Sequence, residues 1–443
     1  MLFTEPVFLL GFLPAVLVAH RLGLAAGGRA ALWALLLASM VFYAWWSPGY
    51  LGMLLGSIGA NYVLGTWLLA HRSRPAFVAG VTANLALLGV FKYLDFALGT
   101  VGLPLVHLVL PIGISFFTFQ QIAWLVACFR GEDPHTGPFE YTLFVLFFPH
   151  FVAGPIVRHT VLIPQLLARP VPSPDDLHVG VAQFAIGWFK KVTLADPLST
   201  LASPVFDGSA PVDAFGAWTA TGAYALQLYL DFSGYSDMAL GLARLFGIRL
   251  PVNFDAPYRA RSPSEFWRRW HITLSEFLRD HLYLPLGGNR RGLTRTLVNL
   301  LVTMTLGGLW HGAGWTFVAW GALHGVYLVI ARLWRGPPVP PAAAWALTQL
   351  AVAVAWVPFR APTLGRAGEL WQAMAGAHGL GAPTHATLIV CAGYGLCQLV
   401  PVGWRWAEQL RSRPLVTGLA VGAMAALAVA ASGQLSPFLY YQF

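Results

Sequence analysis

Long apolar stretches separated by short polar turns dominate the chain. Between Arg29 and Arg72 lie 42 residues without an Asp, Glu, Lys or Arg, and the turn sequence Ser-Pro-Gly at 47–49 divides them. A transmembrane helix needs about 20 apolar residues, so this interval predicts a hairpin of two spans. Over the whole chain the pattern predicts about eleven spans, some of them partial or re-entrant. The candidate stretches are 6–20, 30–46, 51–70, 76–97, 104–129, 179–200, 214–232, 296–311, 315–331, 341–359, 385–401 and 415–431.

The composition supports a membrane protein. Of the 443 residues, 57% are hydrophobic and 10% are charged, whereas soluble domains carry about 25% charged residues. The three cysteines, Cys128, Cys391 and Cys397, form no CxxC pair, so neither a disulfide framework nor a metal cluster is indicated. We therefore expect an all-α, polytopic bundle of transmembrane helices with short re-entrant and interfacial helices. Residues 1–443 are predicted to form one domain, with a longer loop at 366–384 and C-terminal helices in 385–443.

The basic residues predict the orientation in the membrane. Short cytoplasmic loops are enriched in Lys and Arg. Arg21 and Arg29 fall in the first predicted loop, no charge falls in the second, and Arg72 and Arg74 fall in the third. This alternation predicts a periplasmic N-terminus. The first apolar stretch is expected to be a retained helix, because no basic residue precedes it and no small-residue cleavage site follows it before Arg21.

A basic segment at 244–295 holds ten of the 27 Lys and Arg residues and four acidic residues. Two interpretations stay open for this segment. It has either an ordinary excess of positive charge on the cytoplasmic side, or a surface that also attracts a polyanion such as the phosphates of coenzyme A. Both place the segment in the cytoplasm. The net charge of +9 requires no nucleic-acid partner, because the excess is spread over membrane loops.

Within this segment, an amphipathic helix is predicted to begin after Ser262. Ser262 can cap the helix, Pro263 suits its first position, and Glu265 completes a capping box. Apolar residues then recur at helical spacing as far as Leu278, and His271 falls on the apolar face. A histidine there is either a satisfied core residue or part of a site. The sequence Leu-Pro-Leu-Gly-Gly-Asn at 284–289 predicts a turn after the helix.

A second charge-free interval, at 296–331, is too long for one average span and too short for two full ones with a generous turn. The glycine-rich sequence at 306–314 is predicted to interrupt it, with His311 near the tip of a short hairpin. We expect this tip to reach a thinned or water-filled region. An ionisable residue at such a depth is a functional candidate, although His311 could merely form a hydrogen bond across helices. His324 is expected to have a packing role.

A polar cluster at 231–237 follows the apolar run 223–230. Its carboxylates, Asp231 and Asp237, need water or partners at what is predicted to be a helix end. They could pair with arginines, fix the cytoplasmic segment or help to orient a catalytic histidine, and a structural role is favoured. An irregular connection at 253–258 leads into the capped helix.

Together these motifs strongly resemble the membrane-bound O-acyltransferase (MBOAT) family, and within it the bacterial alginate and polysaccharide O-acetyltransferase branch. The resemblance spans Met1 to Thr363. It is carried by FWRRWHITLS at 266–275, RDHLYLPLGGN at 279–289 and LWHGAGW at 309–315, with support from PIGISFFTFQ at 111–120, AGPIVR at 153–158 and the cluster at Asp231. The LGGN sequence at 286–289 favours this branch over the proteins that transfer D-alanine to teichoic acids.

The resemblance implies an enzyme that transfers an acyl group from a thioester to a hydroxyl, at a histidine in a central tunnel through the inner membrane. The family histidines match His311 and His271. Acetyl-CoA is the expected donor, with no permanently bound cofactor and no metal. The expected partners are the lipid bilayer, a periplasmic SGNH-type acetyltransferase and a polysaccharide acceptor. We expect donor contacts from Arg268, Arg269, Trp270 and Asn289, and orienting roles for Asp231, Tyr235, Asp237, Asn253 and Trp310.

The residue types fit this chemistry. A neutral imidazole can take the proton of an attacking hydroxyl, and the chain lacks the GxSxG sequence of serine hydrolases. His271 could bind the donor carbonyl or orient the acceptor. Other functions stay open: transfer of D-alanine or another acyl group to a cell-wall polymer, a glycolipid transporter, or a non-catalytic platform for polysaccharide secretion. A transporter is disfavoured because the His311 hairpin has no counterpart in the N-terminal half.

Overall fold

The structure is a computed structural model that describes residues 1–132, 136–210, 212–431 and 438–439. The regular secondary structure of these residues is entirely helical, which confirms the predicted all-α class. The α-helices are α1 (Leu13–Ala25), α2 (Arg29–Ala44), α3 (Pro48–His71), α4 (Arg74–Leu88), α5 (Leu94–Thr100), α6 (Ile114–Arg130), α7 (Pro138–Leu146), α8 (Phe148–Phe151), α9 (His159–Ala168), α10 (Pro174–Phe189), α11 (Asp196–Phe206), α12 (Ala214–Leu245), α13 (Pro263–Arg269), α14 (Ile272–Leu278), α15 (Leu293–His311), α16 (Trp315–Leu333), α17 (Pro341–Arg360), α18 (Leu364–Met374), α19 (His385–Leu399), α20 (Gly403–Leu410) and α21 (Pro414–Ala431). Short π-helical segments lie at Val7–Phe12, Gly89–Tyr93, Lys190–Ala195 and Arg279–Tyr283, and a 3₁₀ turn at Pro257–Arg259.

Six helical segments of the described residues are long and apolar enough to cross a membrane, and the pair α19 and α20, bent by 55°, is a seventh candidate. The predicted count of about eleven spans is therefore not confirmed. Several predicted stretches form helices that are short, such as α2 with 16 residues, or that carry buried charges, such as α12. The six segments are Val7–Ala25, Pro48–His71, Arg74–Thr100, Trp315–Leu333, Pro341–Arg360 and Pro414–Ala431.

Two predicted boundaries are wrong. The span predicted at 104–129 is not helical in its first part, and α6 begins at Ile114. Pro104 and Pro111 lack an amide proton and disfavour a helical residue before them, so the helix cannot extend through this part of the chain. The loop predicted at 366–384 is shorter than expected, because α18 continues to Met374.

The chain divides into two compact units, each built from separate segments. The first unit comprises Met1–Ala185, Ser236–Pro251 and Ala407–Val421, and the second comprises Ile186–Tyr235, Val252–Trp406 and Gly422–Phe443. Both units combine residues that are far apart in the sequence. The single domain over 1–443 stays a prediction.

Close helix contacts and a polar pair hold the first unit together. A Cβ atom at Gly65 of α3 would lie 2.3 Å from the Trp124 indole nitrogen of α6, so this position requires glycine. The buried side chains of Asn61 in α3 and Asn84 in α4 exchange hydrogen bonds of 3.2 and 2.6 Å. In lipid such interhelical bonds contribute about 1 kcal/mol each. These contacts fix the packing of α3 against α4 and α6.

The second unit is built around the antiparallel hairpin of α15 and α16, on which α13 and α17 pack. A Cβ atom at Gly308 would lie 2.3 Å from the Phe317 carbonyl oxygen, and one at Gly321 would lie 2.4 Å from the Met304 carbonyl oxygen. The two glycines therefore allow the helix backbones to touch, as small residues do between membrane helices. This close packing fixes the position of the hairpin turn, where the candidate site lies.

Candidate active site

His311 is the last residue of α15, at the turn of the hairpin, which confirms its predicted place in the fold. The predicted interruption at 306–314 is shorter than expected, since α15 continues through the glycines and only 312–314 leave the helix. Each helix has 19 residues, about 28 Å at 1.5 Å per residue. This is close to the thickness of the hydrocarbon core, about 30 Å, so their length does not require a thinned membrane.

The helix predicted after Ser262 begins as expected but is broken at His271, and the predicted capping box is wrong because the Glu265 carboxylate accepts from the Arg261 amide at 2.8 Å and not from Ser262. The Ser262 hydroxyl accepts a hydrogen bond from the Glu265 amide at 3.1 Å. α13 ends at Arg269 and α14 begins at Ile272, and His271 between them has a φ of 43°. Residues other than glycine rarely adopt this left-handed conformation, and where they do, they are held by their surroundings and often lie at functional sites.

The fold brings His271 and His311 together, with ring centroids 6.2 Å apart. The rings of Trp310, Trp320 and Phe359 surround His311 at 5.1, 5.0 and 5.4 Å. We call these five residues the histidine pocket. His311 is 3% exposed and His271 is 0% exposed. The two imidazoles therefore share one buried, aromatic environment.

The histidine pocket is closed in this structure. Because 3% of the His311 side chain is accessible, the tunnel predicted to reach this ring is not open at His311. The covering groups are the side chains of Trp310, Trp320 and Phe359. Access for a donor and an acceptor therefore requires the pocket to open.

Asn253 holds the His271 ring in place. Its side-chain oxygen lies 3.1 Å from His271 Nδ1 and accepts hydrogen bonds from the Thr273 amide and hydroxyl at 3.3 and 3.0 Å. Since the backbone amide can only donate, the Asn253 atom is an acceptor and Nδ1 of His271 carries a proton. Burial lowers the pKa of His271 to about 3. The ring is therefore neutral at pH 7, and its Nε2 keeps a lone pair.

The substitution Asn253→Ala is expected to lower the melting temperature, because it leaves buried donors of His271 and Thr273 without their acceptor. Each such buried group costs about 1–3 kcal/mol of stability. Thermal unfolding in detergent measures the loss, and the exposed Asn289→Ala is the matched control. Equal melting temperatures for the two variants would contradict the positioning role of Asn253.

The cluster around Asp231 lies inside α12 and not at a helix end, which corrects the predicted boundary. One Asp231 oxygen pairs with Lys191 Nζ at 2.7 Å and the other accepts a hydrogen bond from the Leu439 amide at 3.1 Å. Lys191 Nζ also pairs with Asp196 at 2.5 Å. We call Lys191, Asp196 and Asp231 the buried ion cluster. It gives Asp231 a structural partner, but this partner is a lysine and not an arginine.

The other two predicted orienting residues of α12 are also buried. The Tyr235 ring packs edge-on against Phe438, with centroids 4.5 Å apart. Asp237 belongs to the first unit. Phe232, one residue after Asp231, packs edge-on against His271 at 4.8 Å and links α12 to the histidine pocket. The sequence reasoning missed Phe232, since an apolar residue beside a polar cluster carries no signal of what it contacts.

The two arginines predicted to bind the donor differ in their surroundings. Arg268 is exposed, whereas Arg269 forms an ion pair with Glu265 at 2.9 Å and donates to the Asp255 carbonyl oxygen at 3.1 Å. The Asp255 contact ties α13 to the connection at 253–258, whereas the pair with Glu265 lies within α13. Donor binding by either arginine stays a prediction, and the exposed side chain of Arg268 is the better placed of the two.

Trp270 and Asn289 also lie in different environments. Trp270 is 2% exposed and packs on Trp356, with ring centroids 5.0 Å apart. Asn289 is exposed in the turn after α14. The buried Asn299 of α15 holds this turn by donating to the Leu286 and Gly288 carbonyl oxygens at 3.3 and 3.0 Å. Donor binding by Trp270 and Asn289 stays a prediction.

His324 lies closer to the site than the sequence suggested. Its Nδ1 accepts a hydrogen bond from the Trp267 indole at 3.3 Å, and its ring lies 4.9 Å from Trp320, which itself contacts His311. Trp320 and His324 are one helical turn apart, so their contact was predictable. The approach of Trp267 from α13 was not predictable, because Trp267 and His324 are 57 residues apart in the sequence.

Among the described residues, no group of three or more His, Cys, Asp or Glu side chains could hold a metal ion.

Comparison with known proteins identifies the family of this chain. The model of the MBOAT, membrane-bound O-acyltransferase family matches residues 83–337, which include the histidine pocket except Phe359. The chain is 39% identical over 428 residues to the peptidoglycan O-acetyltransferase of Helicobacter pylori, covering 86% of this chain and 81% of that protein. It is 42% identical over 393 residues to the probable alginate O-acetylase of Pseudomonas aeruginosa, covering 84% of this chain and 75% of that protein.

A more distant similarity covers half of the chain. The teichoic acid D-alanyltransferase of Streptococcus thermophilus is 31% identical over 243 residues, which is 50% of this chain and 57% of that protein. The identity and coverage are thus greater for the O-acetyltransferases. The chain belongs to the MBOAT family. It is an O-acyltransferase and a multi-pass membrane protein, and its similarity to the peptidoglycan O-acetyltransferase and the probable alginate O-acetylases matches the polysaccharide O-acetyltransferase branch.

Proposed function

We propose that this enzyme moves an acetyl group from cytosolic acetyl-CoA across the inner membrane to a hydroxyl acceptor, for O-acetylation of an alginate-like exopolysaccharide. The observation that carries the proposal is the pairing of His311 and His271, with ring centroids 6.2 Å apart, in a buried aromatic pocket. Support comes from the similarity to a peptidoglycan O-acetyltransferase and to probable alginate O-acetylases. The periplasmic position of the N-terminus belongs to the same proposal.

In this mechanism His311 is the general base. Its imidazole takes the proton from the acceptor hydroxyl while the hydroxyl oxygen attacks the thioester carbonyl carbon. The carbon–sulfur bond then breaks, and the proton passes from the imidazolium to the departing thiolate, so the products are an acetyl ester and free CoA. The aromatic walls exclude water and so limit hydrolysis of the thioester.

The other residues position these groups. Asn253 fixes the His271 ring through the Nδ1 proton, so Nε2 can accept a hydrogen bond from a second hydroxyl of a sugar acceptor and orient it, while the attacking hydroxyl gives its proton to His311. Trp310 forms one wall of the pocket. Arg268, Arg269, Trp270 and Asn289 are assigned to the donor side. The acetyl group passes either to a periplasmic SGNH-type partner protein or directly to the polysaccharide.

The test uses the full-length protein in vesicles supplied on the outside with acetyl-CoA that carries a radiolabelled acetyl group. We expect release of free CoA and label in an extracted polysaccharide or in a co-reconstituted SGNH-type protein. Vesicles supplied with a D-alanyl thioester of a carrier protein form the parallel arm. Label from the D-alanyl donor alone would assign the enzyme to cell-wall D-alanylation. Movement of the acceptor across the vesicle membrane without release of CoA would overturn the proposal of acyl transfer and favour a transporter.

A further inference from the structure

A cluster of aromatic rings surrounds His324 of α16 and shares one member, Trp320, with the histidine pocket. His324 is 1% exposed, and all residues of the cluster belong to the second unit. The centroids of the surrounding rings lie 4.9–6.3 Å from that of the imidazole. We call this set the His324 cluster, and the rings are those of Phe266, Trp267, Trp320, Tyr327 and Trp356.

One hydrogen bond fixes the orientation and the tautomer of His324. The Trp267 indole nitrogen lies 3.3 Å from His324 Nδ1. Because an indole N–H can only donate, Nδ1 is the acceptor and the imidazole proton is on Nε2. This tautomer is the opposite of that of His271, whose proton is on Nδ1. The bond also joins α13, on which Trp267 lies, to α16.

Stability alone does not explain a histidine at position 324. Its Nε2 is buried and has no hydrogen-bond partner among the described residues, and an unpaired buried donor is costly. Apolar side chains at both 267 and 324 could fill the same space without that cost, since replacing both partners of a buried hydrogen bond can be nearly neutral. Most buried polar groups in proteins are paired, so this exception requires a role beyond packing.

The side chain of Trp320 connects His324 to the candidate base. Its ring packs edge-on against His324 at 4.9 Å and edge-on against His311 at 5.0 Å. Trp267 also packs edge-on against Trp320, at 5.7 Å. The backbone beside Trp320 is fixed, because Gly321 packs directly on α15. The direction of the Trp320 side chain therefore depends on the rings packed against it.

We propose that His324 is a positioning residue, which through its hydrogen bond with Trp267 holds the Trp320 ring against His311 and so keeps water away from the thioester. The inference rests on the proposed function, since it takes His311 as the base and acetyl-CoA as the donor. His324 itself touches neither the donor nor the acceptor in this role. Its effect is on the choice between two nucleophiles.

The competing nucleophile is water. The His311 imidazole can take a proton from water as it does from the acceptor hydroxyl. The water oxygen then attacks the thioester carbonyl carbon, the carbon–sulfur bond breaks, and the proton passes to the departing thiolate, so the products are acetic acid and free CoA. Exclusion of water from the site limits this side reaction. A Trp320 ring that is no longer held in place would let water compete with the acceptor.

The experiment measures the ratio of free acetate to ester-bound acetyl, in vesicles supplied with acetyl-CoA that carries a radiolabelled acetyl group and with the acceptor that the wild type labels. For His324→Leu we expect the ratio to rise about fivefold, the population shift that corresponds to the loss of one neutral hydrogen bond. His324→Asn should stay close to the wild type, because the asparagine side-chain oxygen can replace Nδ1 as the acceptor for Trp267.

The reciprocal variant Trp267→Phe removes the donor of the same hydrogen bond, so its ratio should also rise. The double variant His324→Leu/Trp267→Phe should rise no further than the single variants, since residues that act through one contact are not additive. The sum of two separate increases would overturn the inference, because it would show that the two side chains act independently.

The matched control is His20→Leu, which replaces another buried histidine that packs edge-on against an aromatic ring, that of Phe246 at 5.1 Å in the first unit. It should leave the ratio unchanged. If His324 only stabilised the fold, His324→Leu would lower hydrolysis and transfer equally and keep the wild-type ratio, and this result would overturn the inference. An equal rise in His324→Asn would overturn it too, because the hydrogen bond would then not be the cause. A wild-type enzyme that releases no CoA from acetyl-CoA would refute the proposed function itself, whereas an active wild type with an unchanged His324→Leu ratio would refute this inference alone.

Discussion

Replacement of His311 by alanine or glutamine is expected to lower kcat for acetyl transfer by about 10²–10⁴-fold, the usual contribution of a general base. Alanine removes the imidazole, and glutamine keeps a polar side chain of similar size that cannot accept the proton. The reduction should be the same with acetyl-CoA and with acetyl-pantetheine, because the base acts on the acceptor hydroxyl. Release of CoA in vesicles that contain the acceptor measures the rate.

The matched control for His311 is His378→Ala, a histidine that is exposed in the same unit and remote in sequence from the pocket. It should retain wild-type activity. Loss of fold is separated from loss of chemistry by the melting temperature and by the binding of CoA to the detergent-solubilised variants, both of which should stay close to wild type for His311→Gln. Activity in His311→Gln near that of the control would remove the base assignment.

The substitution Lys191→Met is expected to destabilise the protein by about 3–5 kcal/mol, because it leaves two carboxylates of the buried ion cluster without their cation. Lys191 is 1% exposed, and its Nζ lies 2.5 Å from Asp196 and 2.7 Å from Asp231. Buried charges without a partner are far more costly than solvated ones. Thermal or denaturant unfolding of the purified protein in detergent measures the change.

A surface ion pair provides the comparison. Arg411 and Asp175 form an ion pair whose side chains are both about half exposed, and such pairs contribute about 0–1 kcal/mol. Arg411→Met should therefore unfold nearly as the wild type does. The double variant Lys191→Met/Asp231→Leu should recover part of the loss, since it removes one of the carboxylates left unpaired. Similar unfolding of Lys191→Met and Arg411→Met would show that the cluster is hydrated and not structural.

The closed histidine pocket sets a requirement for catalysis. His311 is 3% exposed, and three aromatic side chains cover it. In the proposed mechanism the donor and the acceptor reach the imidazole only when the pocket opens, and the aromatic walls then exclude water while the ester forms. Opening of the pocket is therefore expected to be part of the catalytic cycle.

Some features of the fold follow from local sequence alone. Apolar runs of 18 residues or more predict helices such as α3 and α17 because the spacing and chemistry of neighbouring residues determine them. The cap at Ser262 was predicted for the same reason, since its partner is three residues away. The count of about eleven spans is not confirmed, because the sequence of an apolar stretch of 16 residues does not show whether it crosses the membrane or ends within the protein.

The break at His271 shows where local reasoning ends. Residues 263–278 have the spacing of one continuous helix, yet the chain turns at His271 into a left-handed conformation. The hydrogen bonds to Asn253, 18 residues earlier, hold that conformation in place. The periodicity of apolar residues indicates which side of a helix is apolar. Whether the helix continues depends on hydrogen bonds to residues of another segment.

The candidate residues could be predicted from the sequence, since His311 and His271 stand in two of the motifs that carry the resemblance to the family, and that resemblance implies acyl transfer. The contact between the two imidazoles could not be predicted from the sequence. Residues 40 apart come together only after the hairpin, the broken helix and α17 have packed. The same packing supplied Phe232, Phe359 and the lysine of the buried ion cluster. Short-range patterns fix the identity and secondary structure of a residue, whereas its neighbours, its burial and its access to substrate depend on contacts between distant segments.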